Sequence, residues 1–319
     1  MSARLSSPLV STQWLADHLG ADRMVVLDAT VLPYETPAGR RSWLSGYDSY
    51  LFDGHIPGAH FADLIEEFSE PDAEHPFTRP GRERFEAAAG ALGVDRETTV
   101  LIYDREGGDW APRLWWLFRA FGHDDVAVVD GGLARWRAEE RELETGHNEP
   151  GTTRFAADPR DELWVDRAFV ERVVHGHEDA ALLSAIPAGE FSGEVATTRP
   201  RPGVIPGSVS VPAAELRDAS SRLLDGGRLR ARLAPVLQAP RVVSYCGAGI
   251  AAATNALALT LLGHRGVAVY DGSLTEWAAD PDAPLVVPSD RGGDQPAGRS
   301  SAAKAPGSVT GRRQTKSVQ

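Results

Sequence analysis

At 319 residues the chain exceeds one ordinary domain, and its 42% hydrophobic and 24% charged side chains are proportions that bury full cores. No apolar run approaches the roughly 20 residues of a membrane-spanning helix, so no membrane association is expected. A net charge of −12 argues against general nucleic-acid binding, which needs a basic face.

The N-terminus, MSARLSSPLVSTQWLADHLG, lacks a charged start followed by an apolar stretch and a small-residue cleavage site. No signal peptide is expected, and a cytoplasmic location follows. The first β-branched run, Val25–Ala29, reads as a buried strand. A helical pattern over Arg79–Gly93 follows, then a strand at Val100–Tyr103, a helix over Pro112–Phe121 and a strand at Val126–Asp130. Residues 144–163 are polar with Gly and Pro and read as a linker. The alternation then resumes with strands at Leu182–Ala185, Arg241–Tyr245 and Val267–Asp271, and a helix over Ala251–Leu262. Near-continuous apolar strands separated by helices predict an α/β fold with a mainly parallel sheet in each half. Residues 288–319 turn to Ser, Gly, Ala, Pro and Arg without periodicity and are expected to be a disordered tail. The expected layout is a domain over 8–143, the linker, a second domain over 164–287, and the tail.

The two halves repeat one another. Val100–Trp136 and Val242–Trp277 each hold a β-branched run, a Tyr, a Gly-containing turn, an apolar helix, Gly-His, a second β-branched run, Asp-Gly and a Trp. Asp130 to Trp136 and Asp271 to Trp277 are both six apart, while Asp104 to Asp130 is 26 and Cys246 to Asp271 is 25. A second matching pair, Gly54–Leu64 (GHIPGAHFADL) and Gly203–Leu216 (GVIPGSVSVPAAEL), precedes these.

The chain holds one cysteine, which rules out an intramolecular disulfide, and no metal site is expected. Cys246 follows the strand RVVSY and precedes GAGIAAATNALALTLLG, at the strand end where parallel α/β sheets bind ligands. Gly247 and Gly249 let the loop curl so that successive N–H groups converge, and the following helix adds the positive end of its dipole. A free thiol near pKa 8.5 is only about 3% ionised at pH 7, so such a loop is expected to lower that value and maintain a thiolate nucleophile. The competing reading is a small buried hydrophobe. Gly107-Gly108 after a strand is not followed by Lys-Ser/Thr, so nucleotide binding is rejected. Cysteine phosphatases need an Arg six residues after the nucleophile, where this chain has Ala252.

The loop Cys246-Gly247-Ala248-Gly249-Ile250-Ala251 resembles the six-residue active-site loop of rhodaneses, nearest to the Cys-Gly-Ser-Gly-Val-Thr-Ala pattern of the 3-mercaptopyruvate sulfurtransferase type. His55–Ala59 (HIPGA), its counterpart Val204–Ser208, and Asp271–Ser273 with Trp277 agree with the same family. Tandem members keep the cysteine only in the second repeat and often have Asp at the matching place in the first, as Asp104 here. The resemblance implies two rhodanese-like domains and a ping-pong sulfurtransferase without cofactor. In it Cys246 takes a sulfane sulfur from 3-mercaptopyruvate or thiosulfate and passes it to cyanide, a small thiol or a thioredoxin-like acceptor. It further implies Arg199 as the ligand of the donor carboxylate, with Arg201 as a nearby substitute. His55 and Asp104 become candidate contributors at the domain interface, with turn stabilisation and loop capping as their competing roles. The uncharged loop counts against thiosulfate as the preferred donor. Several positions depart from the family: Ala248 replaces a Ser, Glu190 the Arg of a Gly-Arg-Phe motif, Ser184 an Asp, and Val204 the His of the family motif. These losses keep open a degenerate rhodanese acting as a non-catalytic sulfur carrier or redox-sensing binding module.

Overall fold

A computed structural model describes residues 5–37, 41–105, 107–197, 199 and 201–288. The expected tail, from residue 289 on, lies outside the described residues. The first half runs β1 (Leu9–Val10), α1 (Thr12–His18), β2 (Met24–Asp28), β3 (Val31–Glu35), β4 (Arg41–Ser45), α2 (Tyr47–Asp53) and β5 (His60–Phe61). It continues through α3 (Arg82–Ala91), β6 (Thr99–Tyr103), α4 (Trp110–Ala120), β7 (Val126–Val129) and α5 (Gly132–Ala138). The second half runs β8 (Trp164–Val165), α6 (Arg167–Val174), β9 (Ala181–Ser184), α7 (Ala188–Ser192) and β10 (Val209–Ser210). Then come α8 (Gly226–Leu233), β11 (Val242–Tyr245), α9 (Ala251–Leu261), β12 (Val267–Tyr270) and α10 (Ser273–Ala279).

Each half forms a five-stranded, wholly parallel sheet, in the orders β1-β7-β6-β2-β5 and β10-β9-β11-β12-β8. Every residue of β6, β7, β11 and β12 is buried, because helices cover both faces of such sheets, and this explains their unbroken apolar runs. Among the described residues the β3–β4 hairpin is an antiparallel addition found in the first half and not in the second. Helix α3 begins at Arg82 rather than Arg79, because Arg79 precedes Pro80, which disfavours helical backbone before it, and Gly81 is extended as the N-cap; the Arg79 N–H instead reaches Asp271 of the other half at 2.8 Å. Helix α4 begins two residues before Pro112, whose missing N–H is tolerated in a first turn. The linker packs back on the first half: Phe155 meets Phe85 edge-on with ring centroids 5.5 Å apart.

The halves meet along α4 and α9, and one buried cluster is continuous across them, from Phe85 and Trp115 to Leu257 and Trp277. The contact is reciprocal in polar detail. Asp271 accepts from Arg79 N–H, and Asp130, its counterpart in the repeat, accepts from Leu223 N–H at 2.8 Å. Each Asp-Gly turn thus caps a backbone donor of the opposite half.

Candidate active site

Cys246 leaves the C-terminal end of β11 and is 4% exposed. The backbone of its loop is spoken for by α10. Leu274 and Thr275 N–H groups donate to the carbonyls of Cys246 (3.1 Å) and Gly247 (2.9 Å), and Thr275 Oγ1 donates to the latter as well. Cys246 N–H donates to Ser273 Oγ at 3.1 Å, and that hydroxyl donates onward to the Tyr270 carbonyl. Ser273 holds this position at φ 51°, where its counterpart in the first half is Gly132 at φ 55°. A left-handed serine is strained, and strain of this kind persists where the surroundings enforce it. Gly249, at φ 79°, is required by contact: a Cβ there would lie 2.7 Å from the Asp271 carbonyl.

With its carbonyls turned toward α10, the loop directs the N–H groups of Ala252, Ala248 and Ala251 at the cysteine sulfur. Burial nevertheless pushes the thiol above its ordinary range; these amides pull it down, and the Asp109 carboxylate adds to the rise. The expected net lowering is therefore corrected. The converging amides are present, but at 4% exposure the loss of water around a thiolate outweighs them.

The first half contains the same cradle with a different occupant. Leu133 and Ala134 N–H groups hold the carbonyls of Asp104 and Arg105, as Leu274 and Thr275 do for Cys246 and Gly247. The Asp104 carboxylate accepts from the N–H groups of Gly108 (2.6 Å), Trp110 (3.1 Å) and Ala111 (2.9 Å). It occupies its own loop, as a cap does.

His55 is fully buried and stacks on Tyr50 at 3.9 Å, with its ring nitrogens against the carbonyls of Ile56 and Gly146. All these partners belong to the first half and its linker, and the structure does not bring His55 to the Cys246 loop. The two candidate arginines separate. Arg201 directs its guanidinium to the carbonyls of Asp280 and, at 2.7 Å, Ala283, and so fastens the end of the second half. Arg199 pairs through Nη1 with Glu190 Oε2 at 3.1 Å, and its buried Nε and Nη2 have no partner among the described residues. Its charge is felt at Tyr245, the residue before Cys246, whose hydroxyl donates to Ser208 Oγ at 2.7 Å and which burial pushes up to about 12 against that bond and the Arg199 charge.

Contacts from the first half complete the back of the loop, and sequence reasoning missed them. Arg113 of α4, 1% exposed, places Nη1 2.7 Å from Asp271 Oδ1 and 3.4 Å from the Gly249 carbonyl, and donates to the Phe77 carbonyl at 2.7 Å. The approach to Asp271 is charge contact more than aligned hydrogen bond. On the other side Thr254 of α9 donates to Asp109 at 2.6 Å, and Arg217 reaches Asp109 at 3.0 Å and Thr254 at 3.1 Å. Partners from 36 to more than a hundred residues apart leave no local pattern. Ser273 was more accessible, since aligning the repeats sets it against Gly132.

Comparison with known proteins agrees with this architecture. The model of the rhodanese-like domain matches residues 11–139 and again 175–280. The chain is 34% identical over 280 residues to the 3-mercaptopyruvate sulfurtransferase of Escherichia coli, covering 86% of this chain and 96% of that protein. It is 31% identical over 309 residues to the mitochondrial thiosulfate/3-mercaptopyruvate sulfurtransferase 1 of Arabidopsis thaliana, covering 89% and 79%. The crystal structure of the 3-mercaptopyruvate sulfotransferase SseA from Escherichia coli superposes with a TM-score of 0.72 at 32% identity, covering 84% of this chain and 99% of that one. Two parallel sheets related as a repeat, with one cysteine-bearing loop and one aspartate-filled copy, therefore belong to a tandem rhodanese-family protein of the sulfurtransferase class.

Proposed function

We propose that Cys246 carries sulfur between a small anionic donor, 3-mercaptopyruvate or thiosulfate, and a thiophilic acceptor such as cyanide, a small thiol or a thioredoxin-like protein. The observation that carries this reading is the loop at the end of β11, whose three N–H groups converge on one buried sulfur. Cys246 Sγ attacks the outer sulfur of the donor; the bond from that sulfur to the donor breaks, and its electron pair leaves with the pyruvate enolate or with sulfite. The amides that oppose burial at the thiol also stabilise the anionic charge of the resulting persulfide. The acceptor then attacks the outer persulfide sulfur and restores the thiol. Arg199 binds the donor carboxylate, since its unpartnered Nε and Nη2 form one edge of the guanidinium fork. No helix among the described residues is long and apolar enough to cross a membrane, and a lone cysteine that must stay reduced suits a cytoplasmic setting.

Intact-mass measurement after adding donor tests the proposal. A gain of about 32 Da, the mass of one sulfur, should appear on Cys246 and disappear with cyanide, repeatedly while donor lasts. A single loading without turnover would indicate a carrier, and no loading would overturn the assignment.

A further inference from the structure

We propose that the donor pocket is built for a zwitterion: among persulfide donors it takes an α-amino-acid persulfide in preference to the same molecule without its amino group. The inference rests on the sulfurtransferase reading and names the donor class of that site. It starts from Glu190, in the first turn of α7, and Arg199, both on the segment leaving β9. Strands β9 and β11 run parallel with Ser184 beside Tyr245, so this segment emerges at the same sheet edge as the Cys246 loop.

Arg199 is neither free nor fully engaged. Nη1 is held by Glu190, while Nε and Nη2, which lie along one edge, are buried without a partner among the described residues. That edge is the fork that receives a carboxylate. Other described arginines near this edge are occupied: Arg113 by Asp271 and Phe77, Arg201 by Asp280 and Ala283, Arg217 by Asp109 and Thr254. A donor bearing only negative charge would bring a second carboxylate beside Glu190 with a single guanidinium between them. A donor with an ammonium next to its carboxylate offers Glu190 its own counter-ion, and charge balances at the pair.

The loop chemistry points the same way. Gly247, Ala248, Gly249, Ile250 and Ala251 carry no side-chain proton donor. The nearby hydroxyls of Ser273 and Thr275 already donate, to the Tyr270 and Gly247 carbonyls. A leaving group that must take a proton on carbon finds none from the loop, whereas a thiolate needs none. In the proposed step the Cys246 thiolate attacks the outer sulfur of R–S–SH. The new S–S bond forms as the old one breaks, R–S⁻ departs with the electron pair, and the transferred sulfur keeps its proton.

The test uses the full chain with cysteine persulfide and with 3-disulfanylpropanoate, its analogue lacking the amino group, cyanide serving as acceptor. The wild type should favour the amino donor in kcat/KM by about ten- to hundredfold, the range for a hydrogen bond to a charged group. Glu190→Gln should bring the ratio to near parity by slowing the amino donor, and Arg199→Ala should slow both. The ratio within one variant is independent of how much of it is folded. Parity in the wild type, or a preference that survives Glu190→Gln, would overturn the zwitterion proposal while the sulfurtransferase reading stands. If neither donor adds sulfur to Cys246, the zwitterion proposal fails, and the sulfurtransferase reading fails with it only when 3-mercaptopyruvate and thiosulfate also leave Cys246 unloaded.

Discussion

Replacing Arg113 by methionine retains its aliphatic volume and removes the guanidinium set against Asp271 and the Gly249 carbonyl. Asp271, 14% exposed, then keeps only the Arg79 N–H on its other oxygen. Breaking a buried ion pair from one side costs about 3–5 kcal/mol. The surviving hydrogen bond places this case near the lower end, about 3 kcal/mol, or roughly 6 °C in melting temperature for a body of this size. Asp271→Asn removes the other charge, so the pair of single variants and the double variant close a cycle. A coupling of about 1–3 kcal/mol is expected, because the double variant leaves no unpaired charge. Sulfur transfer should fall as well, since Arg113 touches the carbonyl of a loop residue three positions from the nucleophile. A displacement of about 1 Å can lower a rate by up to a hundredfold, and kcat should carry most of the loss. Thermal unfolding of all four proteins, with single-turnover loading of Cys246, provides the measurement. Additive effects, or an Arg113→Met protein that melts with the wild type, would refute the brace.

Cys246→Ser should form no mass adduct with any donor and turn over below about 1% of wild type, a hydroxyl being a far weaker nucleophile than a thiolate; residual activity above that level in steady-state assay would count against the site. Ser273→Ala should destabilise by about 1–3 kcal/mol, since the buried Cys246 N–H loses its acceptor while the left-handed backbone remains; Ser273→Gly should melt higher than Ser273→Ala, and the reverse order would contradict the strain argument. Because burial holds the Cys246 thiol above its ordinary value, persulfide formation from thiosulfate should rise about tenfold per pH unit through neutrality and level off only in the alkaline range; a plateau reached below pH 7 would show a standing thiolate instead. Burial raises Asp28 to about 6, so the unfolded chain releases this proton at lower pH than the folded one, and stability should fall between about pH 4 and 6 by up to about 3 kcal/mol and stay reduced above; Asp28→Asn should lack that step in a pH series of denaturant titrations.

Much of the framework was legible because it is local or periodic. The unbroken apolar runs marked the six longest parallel strands to within about a residue at either end. The repeat announced two equivalent loops, and the structure bears out their equivalence down to the bonds from Leu133 and Leu274. The edge strands β1, β5, β8 and β10 escaped notice because two residues carry no period. The ionisation of Cys246 was misjudged for a different reason. Glycine spacing reports which amides can converge but not how much water the fold removes, and here burial dominates. Glu190 was read only as a missing arginine; its role as the partner of Arg199 needed coordinates, since the two lie nine positions apart with no shared periodic element.

The two cradles also show how a half without a cysteine is coupled to the candidate active site. In the first half the carboxylate of Asp104 is tied covalently to the loop it fills, so three N–H groups are satisfied permanently and no ligand is needed. In the second half a matching cradle surrounds the sulfur of Cys246, which on the proposed function alternates between thiol and persulfide, so that its amides meet both. A loop asked to tolerate two occupants gains least from its own contents and most from what holds it behind. That support comes from the other half: Arg113 on Gly249 and Asp271, Arg79 N–H on Asp271, and Asp109 on Thr254 at the start of α9. The filled cradle anchors the start of α4, α4 carries Arg113, and Arg113 braces the working loop. On this physical chain, the hydrogen bonds that Asp104 accepts in one half hold the start of α4, and α4 supports the uncharged loop that carries the sulfur in the other.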